Sequence, residues 1–168
     1  MTRRVRIFLW IAGLAAVTAI VLSASVAFII FKSMSSTAAP AAQATQAFAV
    51  LRKLYPDRPP LIEIVNPATL DARINRTPNS PRKNVETVYF MYWDPEDEKI
   101  VRGEAPIWIT SLRVGITGLG NWSFSDWHVT REDIERFSPG ILVDFKAPDG
   151  THAIVWTATA TEETQKKH

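Results

Sequence analysis

The sequence predicts an α+β domain with a mainly antiparallel sheet of two hairpins plus short helices, behind one N-terminal transmembrane helix. Three observations predict it. The first is a stretch of 25 uncharged residues from Ile7 to Phe31. The second is a pair of β-branched and aromatic runs that each turn back on themselves through Pro, Asp and Gly. The third is that helical periodicity occurs only in short, separated segments, which favours α+β over an alternating α/β order.

The apolar stretch comes first in the chain. At about 1.5 Å per residue it spans about 37 Å as a helix, more than the ~30 Å hydrocarbon core of a bilayer. Trp10 stands near its first end, where an interfacial aromatic is favourable. A cleaved signal peptide is the rival reading, with Arg3, Arg4 and Arg6 as its basic region and Ala39-Pro40-Ala41 as a small-x-small site. Its apolar region is typically about 7–15 residues, far shorter than this one. A twin-arginine signal fits less well, because Arg6 displaces the apolar residues that follow such a pair. Three arginines precede the stretch, and only Lys32 follows it before Arg52. The positive-inside bias then places residues 1–6 in the cytoplasm and the rest outside the cytoplasmic (inner) membrane of a bacterium. Ala15, Ala19, Ser23 and Ala27 recur every fourth residue and mark a face on which a second helix, of a partner or a second copy, can pack closely. Ala12, Ala16 and Ala24 lie off that stripe, so general alanine abundance is the preferred explanation of it.

Residues 32–40 read as a juxtamembrane tether, residues 41–157 as the domain and residues 158–168 as a polar tail. Pro40 opens a helix of about residues 41–55, with Ser36 or Thr37 near the capping position and Ala44, Ala47, Phe48, Leu51 and Leu54 at helical spacing. Tyr55-Pro56 ends it. LIEIV at 61–65 predicts a short strand, and the Pro-, Asn- and Arg-rich run 66–84 a long loop. Val85–Trp93, the turn Asp94–Glu98 and Lys99–Gly103 form the first hairpin. Ala105–Leu112 is a strand or short helix, and 115–121 a glycine-rich turn. Thr130-Arg131-Glu132-Asp133 caps a helix that stops near Phe137. Ile141–Phe145, the turn Ala147-Pro148-Asp149-Gly150 and Thr151–Thr157 form the second hairpin. Leu61, Ile64, Val88, Phe90, Tyr92, Ile134, Leu142, Val143, Ile154 and Trp156 are the expected core.

Charge and composition exclude several classes of function. Three of the 19 basic residues precede the apolar stretch, whereas all 17 acidic ones follow it. The remainder carries 16 basic and 17 acidic residues, so it lacks the basic field that nucleic-acid binding requires. The absence of cysteine removes disulfides, thiolate nucleophiles and Cys-based zinc sites.

No chemical motif is complete. Ser123, Ser125, Asp126 and His128 are adjacent in sequence, whereas a triad draws its members from separate elements. A hydrolase reading uses Asp126 and His128, with Asp144 as an optional third residue, and requires His128 to sit in a pocket with a carboxylate in hydrogen-bond reach. His128 and His152, with carboxylates such as Asp126 or Asp144, are the available metal ligands, but they lack the spacing of a helical zinc motif. Asp94, Glu96, Asp97 and Glu98 lack the calcium-loop pattern and read as a hairpin turn. Gly115, Gly118 and Gly120 stand in the wrong order for a dinucleotide fingerprint. Asn75-Arg76-Thr77 and Asn121-Trp122-Ser123 are formal glycosylation sequons. Arg73, Arg76, Arg82 and Lys83 read as solvated loop charge, with lipid headgroups or an acidic partner as the alternative. Neither a metal site nor a cofactor site is expected.

The positive signal is aromatic. Trp108, Trp122, Phe124 and Trp127 fall within 20 residues around the glycines. Rings on loops anchor binding, or they fill the core of a small domain. The sequence therefore reads as a membrane-tethered, non-enzymatic interaction domain for a protein, peptide or envelope component. The alternatives are a hydrolase built on Asp126 and His128 and an accessory subunit that docks through its membrane helix.

Overall fold

A computed structural model describes residues 33–56, 58–69, 71–111 and 124–158. The chain divides after Met34, and the fold is that of the unit Ser35–His168. The stretch 7–31 and the stripe Ala15, Ala19, Ser23 and Ala27 lie outside the described residues, as do the turn 115–121 and the tail from 159. Among the described residues, no helix is long and apolar enough to cross a membrane.

The domain is α+β, with a mixed seven-strand sheet and two α-helices. The strands are β1 (Ser35–Ala38), β2 (Ile62–Asn66), β3 (Asp71–Ile74), β4 (Thr87–Asp94), β5 (Lys99–Pro106), β6 (Gly140–Lys146) and β7 (His152–Thr157). They lie in the order β1-β5-β4-β7-β6-β2-β3. Every pair is antiparallel except β2 with β6, where Ile62 stands opposite Val143. The two expected hairpins are β4–β5 and β6–β7, in register from Asp94↔Lys99 and Lys146↔His152. Gly150 has φ +95 in the second turn, a conformation that glycine adopts without penalty.

Strand alternation gives the sheet two buried faces. Tyr89, Met91 and Trp93 of β4 point to one face, and Val88, Phe90 and Tyr92 to the other. Helix α1 (Ala41–Lys53) covers the first face. Its Ala44, Phe48 and Leu51 recur at helical spacing and bury against Met91, Ile154 and Trp156. Burying the Phe48 ring contributes about 2–3 kcal/mol. Helix α2 (Arg131–Phe137) and two 3-10 turns, Ile107–Ser111 and Phe124–Trp127, lie on the second face. Thr130 caps α2 through a complete capping box with Asp133, as its sequence predicts.

Four expectations change. Residues 35–38, read as tether, form strand β1 on the edge of the sheet, paired with β5. Ser36 and Thr37 therefore belong to a strand, and Pro40 holds the capping position of α1 with no side-chain cap. The run 66–84 contains β3, which pairs with β2 in a third hairpin. Ala105 and Pro106 continue β5, and the 3-10 turn follows them. Of the ten expected core residues, Leu61, Val88, Ile134, Leu142, Val143, Ile154 and Trp156 are buried. Ile64, Phe90 and Tyr92 pack against the core while partly exposed.

Candidate binding surface

The aromatic residues do not share one environment. Strand β5 delivers the chain into the 3-10 turn Ile107–Ser111. Ile107 is buried, and its amide donates to the Glu86 carbonyl at 2.8 Å. The Thr110 hydroxyl closes the turn by donating to the Ile107 carbonyl at 2.7 Å. Between these fixed points Trp108 is 43% exposed, the large ring most open to solvent among the described residues. Phe124 is buried in the core on the α2 face, and Trp127 packs partly buried beside it. Trp122 lies outside the described residues.

The fold does not bring Asp144 to Asp126 and His128. Ser125, Asp126 and His128 are exposed on and after the second 3-10 turn. His128 takes φ +54, and its carbonyl accepts a bond from Arg76 at 2.8 Å. The neighbouring Phe124 and Val129 pack on the α2 face, whereas Asp144 turns to α1 on the opposite face. The sheet stands between them. Ser123 lies outside the described residues.

A polar cluster on the α1 face has no counterpart in any local sequence pattern. Arg52, in the last turn of α1, makes a two-pronged pair with Asp144 of β6, with Nη2 at 2.8 Å from Oδ1. His152 of β7 places Nε2 at 2.9 Å from the same Oδ1, and its ring stacks on Phe48 at 3.7 Å between centroids. Burial pushes the Asp144 carboxyl up. The bonds from His152 and Arg52, with their charge, outweigh burial and hold it below the ordinary carboxylate range. Arg52 is raised in turn, first through its bond to Asp144. The cluster ties α1 to two strands and leaves His152 almost wholly enclosed.

The other charges are similarly engaged. Glu135 on α2 accepts from Arg131 at 2.7 Å and from Arg82 at 3.0 Å, and the Arg131 bond leads in holding it below its usual value. Arg76 pairs with Asp133, and Arg73 with Glu63. The Lys83 amide donates to the Glu135 carbonyl. Asp94 organises its own turn by accepting from the Glu96 amide at 2.8 Å and from the Tyr92 hydroxyl at 3.0 Å. Burial first, then this bond, pushes the Tyr92 hydroxyl up to about 12. Asn75 donates to the Pro60 carbonyl at 2.8 Å, so this sequon side chain serves the fold. Among the described residues, no three metal-ligating side chains converge.

Among the described residues, a recess of about 160 Å³ lies beside the β1 edge. Ser35 and Thr37 of β1, Gln43 and Ala47 of α1, and Ile100 and Arg102 of β5 bound it. The chain matches no family model, no curated protein and no solved structure.

Proposed function

We propose that this chain is a single-pass membrane protein whose extracytoplasmic α+β domain binds a protein, peptide or envelope component. The uncharged stretch Ile7–Phe31, with Arg3, Arg4 and Arg6 before it and Lys32 alone behind it, carries the reading. Its length suits a spanning helix, and the charge bias sets the N-terminus inside. Trp108 supports the binding role. A tryptophan held open on a braced turn presents a large rigid area at small entropic cost, which is what binding anchors supply.

The anchor is tested with the full chain in bacterial membranes. It should stay in the pellet after alkaline carbonate, and protease added outside spheroplasts should degrade the domain while the N-terminus stays protected. Release by carbonate, or protection of the domain, overturns the topology. The binding role is tested by crosslinking in intact cells. Trp108→Ala should reduce the captured species about tenfold, as loss of an anchoring ring does, while the melting temperature holds. Capture that is indifferent to Trp108 removes this ring from the site.

A further inference from the structure

The two edges of the sheet differ. The β3 edge carries Asp71 and Arg73, and its hairpin partner β2 has a register shift between Ile64 and Asn66. Charges and irregularities of this kind protect an edge from pairing with another chain. The β1 edge has neither. Its sequence is Ser-Ser-Thr-Ala, it is exposed throughout, and among the described residues it pairs with β5 alone. No charged residue occurs anywhere from Ser33 to Leu51, a run that contains all of β1 and most of α1. Across the recess, whose β5 wall includes Arg102, the bordering flank of α1 is itself uncharged. Gln43, Ala47, Val50 and Leu54 follow one another at helical spacing, with Val50 55% and Leu54 58% exposed.

The free backbone groups fit a two-fold axis. The Ala39 amide donates to the carbonyl of Glu98, the turn residue just before β5, at 2.7 Å. Strand alternation then turns Ser35 and Thr37 toward β5 as well, and directs the amides and carbonyls of Ser36 and Ala38 outward. We propose that a second copy of this chain pairs with the β1 edge, antiparallel, about an axis through Thr37. Ser36 of each copy faces Ala38 of the other, and each such pair exchanges two hydrogen bonds. The two Thr37 residues meet as a non-hydrogen-bonded pair, a favourable cross-strand match. A self-association of this kind places every group opposite its own kind, so an edge without charge suits it and a charged edge does not. The pairing joins two sheets into one and covers the unguarded edge.

The chain has no cysteine, so a single introduced thiol reports the geometry. The experiment uses the full chain in detergent micelles under mild oxidation. Thr37→Cys places two thiols across the axis at about 4.5 Å between Cα atoms, within disulfide range. It should form the covalent dimer about tenfold faster than Ser36→Cys on the same strand or Arg73→Cys on the other edge, through its higher effective concentration. Adding Ser36→Pro to Thr37→Cys removes an outward amide from each copy and should slow dimer formation about tenfold. Ser36→Lys, which keeps the amide but brings like charges together, should act in the same direction. Equal rates at residues 36, 37 and 73 would indicate collision through the anchor and overturn the proposal. A crosslink from residue 37 to a different protein, without the dimer, overturns the choice of a second copy. A rate at residue 37 that withstands both Ser36 substitutions does so too.

Discussion

Asp144 is held against Arg52 and His152, and its ionisation is a term in the stability of the fold. Arg52 and His152 lie 92 and 8 residues away in sequence, on α1 and β7. The sequence offers Asp144 to the hydrolase reading, and Asp144 with His152 to a loose metal set, in neither case with Arg52. Nothing in the spacing joins them to Arg52, because only the folded sheet brings the three together. The sign of the pH dependence follows from the depressed carboxyl. Its contribution is complete above the unfolded value of about 3.9. The contribution is lost as pH falls through the lower folded value. Asp144→Asn should therefore cost about 2 kcal/mol at pH 7, where it removes the negative charge that Arg52 pairs with. As pH falls below the unfolded value and through the folded one, the wild-type carboxyl protonates and the gap should shrink. Urea denaturation of both proteins along a falling pH series measures this, and a gap that stays constant would locate the effect in packing.

The segment 75–84 shows the same limitation at the scale of an element. Its Pro, Asn and Arg content reads as a long loop, and much of it carries no regular structure. Helix α2 nevertheless holds it in place. Arg136 donates to the Pro78 and Ser80 carbonyls, both at 2.9 Å, and Glu135 receives Arg82. Composition shows which residues avoid helix and strand, but the donors that fix a loop lie elsewhere in the chain. Helix α2 itself was legible, because its capping box and its buried Ile134 and Phe137 are local signals. Arg136→Ala removes the two carbonyl bonds and the pair with Glu132, and should destabilise by about 1–2 kcal/mol. Amide exchange should quicken at Ser80 and Lys83, while β6 and β7 keep their protection. Uniform acceleration across the sheet would mean that Arg136 supports the global fold rather than this segment.

For the whole molecule, legibility followed contact distance. The β4–β5 and β6–β7 hairpins are closed by short turns, and their alternation and turn residues announce them. The edge strands β1 and β3 are four residues each, and β1 pairs with a strand more than 60 residues away. A short run of Ser, Thr and Ala carries neither a β signal nor a hydrophobic pattern, so it resembles a linker. Its strand character comes from the ladder on β5 and from Trp93, whose indole N–H donates to the Ala39 carbonyl at 3.0 Å. Two truncations separate strand from linker. A chain beginning at Ser33 keeps β1, and should melt cooperatively as one domain. A chain beginning at Ala39 lacks β1, bares the Ile100 side of β5 and loses a row of ladder bonds. Its melting temperature should fall about 5 °C below that of the longer truncation, the shift expected for a loss of about 1–2 kcal/mol in a domain of this size. The absence of β1 also makes β5, with Arg102 and Glu104, the new edge of the sheet. Identical melts would return residues 35–38 to the role of a linker, and the self-pairing edge would then lose its structural basis.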